Sequence, residues 1–332
     1  MVNYNAKPFL QSAIDAIAAQ TDQNYAFILV DNASADGSIT NLKTDHLANY
    51  KLIQMDENVG FAAANNLAAK QANSPWIALL NPDTEALPNW LSSFHDATKA
   101  YPQTAMFAGA TLNMEDKHTL DGAGDCYFFL GIPWRGGYGW PRAALPSTGE
   151  CFSPCGASAL FKRDIFIDAG GFDERFFCYC EDVDLGFRLR LEGHNCIFWP
   201  DALAYHVCGG VAGVASDFVL RHGTRNRLWT FVKNMPPLAL ILGLPVHLLL
   251  AGVLLFRGIL RGQGAPIWHG LKEAFGGLGD VLRDRKHIQK RRKLSSLQVL
   301  KAMSFNLADL RRHKPVVRPV SDDQMTRSKV ED

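Results

Sequence analysis

The sequence predicts an α/β domain built on a mainly parallel central sheet, followed by a helical C-terminal region that is first apolar and then basic. Three observations carry this. Short continuous apolar runs, Tyr25 to Val30 and Trp76 to Leu80, read as strands buried on both faces. Helical patterns alternate with them, most plainly the Ala-rich stretch from Phe61 to Ala72. The strands run into polar loops that begin at Asp31, Asp56 and Asn81. Open α/β sheets bind ligands at such carboxyl ends.

The first helix is expected from Lys7 to Gln20, with Leu10, Ile14 and Ile17 on one face and Pro8 near its start. A clear strand follows it, so a βαβ unit is implied whose first strand, at Val2, is almost missing; the true start is expected upstream, or the strand is shortened. Leu52 to Met55 reads as another short strand. Residues 113 to 150 are rich in Gly, Pro and aromatics and predict a long irregular excursion, either an acceptor-binding flap or a variable surface loop. Cys155 to Arg163 predicts a strand, and Cys196 to Trp199 and Ala202 to Tyr205 two short ones. His206 ends the last of these. A lone histidine is usually structural, but one at a strand end beside Gly209 and Gly210 is also a candidate metal ligand.

The chain has 332 residues and a net charge of +1, so no whole-chain field argues for nucleic acid. Its seven cysteines lack paired zinc-finger spacing and read as reduced thiols of a cytoplasmic protein. The first twenty residues are mixed and show no secretory signal. With no G-x-G-x-x-G after the first strand and no P-loop motif, phosphate has to be handled differently. A Mg²⁺ or Mn²⁺ ion held by one or two carboxylates is the obvious means. Asp83, turned out of a strand by Pro82, is a candidate ligand, although Asn81-Pro82-Asp83 also reads as a plain turn.

Gly170 to His194 is the densest stretch. Glu181, Asp182 and Asp184 fall where an amphipathic helix should begin, with Leu185 and Leu189 at helical spacing and Gly193 as its stop. Acids in a first turn ordinarily serve unpaired N–H groups and the helix dipole. Three in four residues exceed that need, and mutual repulsion raises at least one pKa, which makes a candidate general base.

Taken together, VNYN at 2–5, VDNASADGS at 30–38, ENVGFAAANN at 57–66, LNPDT at 80–84, GGFDERFF at 170–177 and EDVDLGFRLR at 181–190 resemble glycosyltransferase family 2, in its rhamnosyltransferase-like bacterial branch. The likeness runs from Val2 to about Asn234. It implies a GT-A nucleotide-diphospho-sugar transferase fold and inverting transfer from a nucleotide-diphosphate sugar with Mg²⁺ or Mn²⁺. By resemblance, Asp31 contacts the nucleotide, and Asn5, Asn58 and Gly60 line the same pocket. Asp83 is the last acid of the family's D-x-D, whose first position is Asn81 here, and His206 completes the metal site. Asp182 is the general base, with Glu181 and Asp184 as its neighbours. Arg225 and Arg227 help hold the diphosphate. The chemistry suits these residue types, because a carboxylate must take the acceptor proton and a cation must offset charge on the leaving group.

Pro236 to Phe256 holds 21 residues without a formal charge when His247 is neutral, near the length needed to cross a bilayer. Basic residues flank it on both sides, from Arg221 to Lys233 and from Arg257 to Lys293. The positive-inside rule places both flanks in the cytoplasm, which suits a re-entrant or interfacial segment broken at Pro245. A buried helical hairpin is the other reading. The expected organisation is a transferase domain at 1–234, a membrane-associated helical region at 235–315 and a disordered tail at 316–332. The resemblance implies a dTDP- or UDP-sugar donor, with rhamnose as the first sugar it suggests, a glycan or polyprenyl-linked acceptor, and a place on membrane lipid at the cytoplasmic face of the bacterial inner membrane. A degenerate, non-catalytic domain that only binds nucleotide sugars is the alternative from another class; retained Asp83, Asp182 and His206 oppose it.

Overall fold

The computed structural model describes residues 1–320 except Ala48, Cys208, Val211, Ala212 and Val214. The first half alternates as expected: β1 (Val2–Asn3), α1 (Leu10–Ala18), β2 (Phe27–Asp31), β3 (Tyr50–Gln54), α2 (Gly60–Gln71) and β4 (Trp76–Leu80). β1, β2 and β3 form a parallel sheet in that order. Leu10, Ile14 and Ile17 of α1 are buried with Phe27 and Leu29, which is the face their spacing predicted.

Beyond β4 the strands turn back on one another. β5 (Thr84–Ala86), α3 (Trp90–Ala100), β6 (Met106–Asn113), β7 (Leu120–Ala123), β8 (Asp125–Phe128), β9 (Ile132–Arg135), β10 (Gly149–Cys151), β11 (Ser158–Lys162), α4 (Arg163–Asp168), α5 (Glu181–Leu191) and β12 (Cys196–His206) follow. A second sheet runs β10-β12-β6-β11-β4, with β5 on β12 and β7 on β6. β11 is antiparallel to both β4 and β6, and only β6 and β12 are parallel in this sheet. The architecture is therefore mixed and not mainly parallel. Apolar runs show that strands are buried but carry no direction, and the short links after β6 leave no room for crossover helices. β12 is a single strand with an irregularity between Trp199 and Leu203, where two strands were expected.

Residues 113 to 150 also differ from expectation. β7 and β8 are buried throughout, and Tyr127, Phe128 and Trp134 are core residues. The glycines that suggested irregularity supply tight corners, as at Gly124 (φ +71°), where a Cβ would come 2.8 Å from the Cys151 sulfur.

α5 is buried nearly all round, not amphipathic. Leu185 and Leu189 enter the core under the second sheet. Val183, Phe187 and Leu191 pack with Phe231, Met235, Val299 and Met303. The latter come from α6 (Asp217–Asn234) and from the segment that holds α7 (Pro237–Leu260), α8 (Gly264–Gly276), α9 (Leu278–Arg291), α10 (Ser296–Lys301) and α11 (Leu307–Arg311). The boundary expected at 234/235 falls between helices that share cores with the transferase half. Glu150 and Arg318 exchange backbone hydrogen bonds of 2.7 and 2.9 Å, and the Val316 N–H reaches the Cys126 sulfur, so the expected tail disorder does not hold for these residues. Residues 321–332 of that expected tail lie outside the described residues.

α7 runs unbroken through Pro245, correcting the break expected there. Gly243, His247, Ala251 and Gly258 face the body of the protein. Leu238, Ile241, Leu242, Leu249, Phe256 and Leu260 point away, each 62–70% exposed. The helix is long and apolar enough to cross a membrane, with a mean hydropathy of 2.5.

Candidate active site

The loop that delivers α5 is strained. Phe177, Tyr179 and Cys180 all have positive φ (64°, 73° and 65°), a conformation costly for residues with side chains and held only where the surroundings enforce it. α6 does the holding. The buried Asn226 amide donates to the carbonyls of Phe176, Cys178 and Tyr179 at 2.8–2.9 Å. Arg225 donates to the carbonyls of Arg175 and Phe176, pairs with Glu273 and stacks over Trp229. Arg225 is thus engaged as a loop latch, correcting its expected role on a diphosphate. Arg227 faces Cys180 and Tyr127, and burial pulls its pKa down.

The three acids of α5 have different fates. Asp182 is half-buried and accepts the Gly156 N–H at 2.9 Å and the Val183 N–H at 2.8 Å. Burial raises its pKa against those two donors. Glu181 is buried with one oxygen unpartnered; burial, then the charge of Asp182, push its carboxyl well above the usual range. Asp184 is structural. It receives Arg188 at 2.9 Å, Lys233 at 3.0 Å and Asn234 at 2.7 Å, and Lys233 also reaches Asp173 at 2.6 Å. Burial disfavours its charge, but Lys233 and Arg188 outweigh that and hold its pKa low.

At the end of β4, Asp83 is buried, and its Oδ1 lies 3.3 Å from Nε2 of His206, the last residue of β12. The other ring nitrogen meets Asp121 at 2.8 Å, and Asp121 also accepts Thr111 and Arg135. Burial lowers the His206 pKa, yet the hydrogen bonds its ring makes to Asp121 and Asp83 raise it overall. Two neighbouring ligands of an octahedral Mg²⁺ or Mn²⁺ sit about 3 Å apart when each bond is about 2.1 Å. The Asp83–His206 spacing fits such an ion, and Asp121 fixes the ring as an outer carboxylate does in metal sites.

At the ends of β1, β2 and β3 the nucleotide-side candidates come together. Asp31 accepts Asn3 at 2.7 Å and the Ser34 N–H at 3.2 Å. Asn5 is bonded to the same loop through Ser34 and Ala35. Asn58 accepts Asn32 at 2.7 Å and the Gly60 N–H at 3.0 Å. Gly60 has φ +85°, and a Cβ there would lie 2.6 Å from the Phe177 ring and carbonyl, so the glycine joins this cluster to the strained loop. The tyrosine of that loop, Tyr179, feels the charges of both Glu181 and Asp83.

Two site residues escaped the sequence reading. Asn226 looked like one polar residue among many on α6. Asp125 places an oxygen within 4.8 Å of both an Asp182 oxygen and the Cys155 sulfur. Its signal was the run Asp121-Gly-Ala-Gly-Asp125, two acids set off by glycines.

The mixed sheet with its flanking helices forms a GT-A-like glycosyltransferase fold. The sequence profile of Glycosyl transferase family 2 matches residues 1–170. The chain belongs to that family and is a glycosyltransferase. It is 28% identical over 229 residues to the N-acetylglucosaminyl-diphospho-decaprenol L-rhamnosyltransferase of Mycobacterium tuberculosis, covering 62% of this chain and 74% of that one. The fold is similar to GalNAc-T7 solved with UDP, GalNAc and Mn²⁺, at TM-score 0.54 and 14% identity, over 70% of this chain and 49% of the other; this chain thus spans about half of that length. It is similar also to the mannosyltransferase PcManGT from Pyrobaculum calidifontis in complex with GDP-Man and Mn²⁺, at TM-score 0.52 and 17% identity, over 91% of this chain and 85% of that one. At these identities the solved structures speak for the fold alone.

Proposed function

We propose that the chain transfers a sugar, with inversion, from a nucleotide-diphosphate donor to a lipid-linked or polysaccharide acceptor in bacterial cell-surface glycan synthesis. The observation that carries this is Asp83 and His206 at cation-ligand spacing, linked through Asp121 to Arg135, whose charge also acts on the half-buried Asp182. Rhamnose on a dTDP or UDP carrier is the first donor to test, because the mycobacterial relative is named for rhamnosyl transfer to a decaprenyl-diphosphate acceptor. Asp31, Asn5, Asn58 and Gly60 line the nucleotide side. Asp182 accepts the acceptor hydroxyl's proton as the bond to the anomeric carbon forms. A Mg²⁺ or Mn²⁺ ion on Asp83 and His206 offsets charge on the leaving diphosphate. Membrane fractions holding the protein, offered a panel of nucleotide sugars with and without Mn²⁺, should release one nucleoside diphosphate in a metal-dependent way. Metal-independent release would overturn the metal's part in the reading. For the metal site itself, Asp121→Asn is expected to weaken Mn²⁺ binding roughly 10- to 100-fold in calorimetry, as loss of an outer partner does.

The exposed stripe of α7 supports a place on lipid, at the cytoplasmic face of the inner membrane. One face of the helix is packed on the protein along its length, so α7 lies in the interface and Arg257 and Arg261 reach anionic headgroups. Replacing Leu242, Leu249 and Phe256 together by Ser is expected to move most of the protein from the membrane pellet to the supernatant. An unchanged pellet fraction would argue against this docking.

A further inference from the structure

Asp125 opens β8 directly opposite the base, and its backbone is tied down on both sides. Its N–H donates to the Ser153 carbonyl at 2.8 Å, and its carbonyl accepts from Phe152 at 3.2 Å and Ser153 at 3.4 Å. The residue is 6% exposed, and its carboxyl has no hydrogen-bond partner among the described residues. A carboxyl without a partner inside the protein is left for water or a ligand to complete.

The gap to Asp182 has a telling size. The facing oxygens lie within 4.8 Å, and the two carboxyls make no direct hydrogen bond. Hydrogen bonds between oxygens run about 2.8 Å, so a single oxygen atom seated between them reaches both. Asp182 and Cys155, beside this gap, are only half-buried.

The surroundings divide the roles. Asp182 and Glu181 of α5, Arg135 of β9, Asp121 of β7 and the Cys155 thiol all face Asp125 or its neighbours. Burial, then the charge of Asp182, push the Asp125 carboxyl well up, with Arg135 opposing. The charge of Asp182 is held by two backbone N–H groups that Asp125 lacks. When two close carboxyls cannot both ionise, one keeps the proton, and here that is Asp125.

We propose that Asp125 is a second working carboxyl of the site, donating a hydrogen bond to the acceptor hydroxyl whose proton Asp182 accepts. This rests on the transferase reading above. A hydroxyl oxygen has one proton and two lone pairs. With the proton on Asp182 and one lone pair on Asp125, the remaining lone pair has a fixed direction, toward the donor's anomeric carbon. Asp125 therefore binds and orients the acceptor hydroxyl already in the bound complex, before attack.

The test uses the full chain in three forms: wild type, Asp125→Asn and Asp125→Ala. Infrared difference spectra at neutral pH, without substrate, should show the carbonyl band of a protonated carboxylic acid in the wild type that is missing from Asp125→Asn. In turnover, Asp125→Asn keeps a neutral donor and should stay within a few-fold of wild type. Asp125→Ala should raise the acceptor KM about tenfold or more while nucleoside diphosphate binding is unchanged. Absence of the band overturns the proposal, as does an Asp125→Ala form with wild-type acceptor KM, or an Asp125→Asn form as inactive as Asp182→Asn. A wild type that turns over no nucleotide sugar overturns the transferase reading itself; the band, read without substrate, reports on Asp125 alone.

Discussion

Asp182→Asn is expected to lower sugar transfer about 10²- to 10⁴-fold, the usual worth of a positioned general base. The amide matches the carboxylate in shape, and its oxygen still accepts one of the N–H groups from Gly156 and Val183, so the helix start should stay in place. What it cannot do is accept a proton. Nucleoside diphosphate affinity should therefore remain at the wild-type value by calorimetry while turnover collapses. Loss of nucleotide binding along with turnover would mean that Asp182 holds the pocket together instead. Full retention of turnover would move the base elsewhere in the site.

The second large effect is on stability. Lys233→Ala should destabilise the protein by about 3 kcal/mol in denaturant melts, since it strips a partner from two carboxylates in a nearly dry cluster. The Lys233 side chain is 3% exposed, and those of Asp184 and Asp173 are 0% and 10% exposed. Both acids have folded pKa values held below their ordinary ones. Groups of this kind stabilise the fold above their unfolded pKa, near 4, and lose that contribution as pH falls through the folded value. The wild type should accordingly lose stability as pH drops below about 4, and Lys233→Ala should show a shallower fall. Equal slopes in the two proteins would place the acid sensitivity outside this cluster.

Much of the site was legible because local chemistry points outward from strand ends. β4 was read at its true limits, and Pro82 marked the turn that delivers Asp83. The start of α5 was visible in its acids, and His206 in its place after an apolar strand. Their meeting was not visible locally, since Asp83 and His206 come from strands separated by more than a hundred residues. Strand direction was hidden for the same reason. A run such as Ser158–Lys162 looks alike whether its neighbours run with it or against it. α5 misled because both of its faces are covered by different cores, which an apolar stripe on one face does not anticipate. Arg225 shows the limit of charge as a clue. A cation near a candidate phosphate site looks like a ligand until its donors are found on the Arg175 and Phe176 carbonyls, Asn226 and Glu273.

Asn226 clamps the base loop from α6, and α6 ends eight residues later at Asn234, next to the start of α7. About 12 Å of rigid helix thus separates the clamp from the exposed apolar face of α7. Were α7 to rest on a bilayer as proposed above, this stem would work as a ruler. Asp182 would then stand at one height above the headgroups, and a lipid-linked glycan of the kind proposed would be extended only at the sugar whose distance from its anchor matches that height. Chain position along the acceptor would in that case be measured by the enzyme's posture as well as by contacts to the sugar itself.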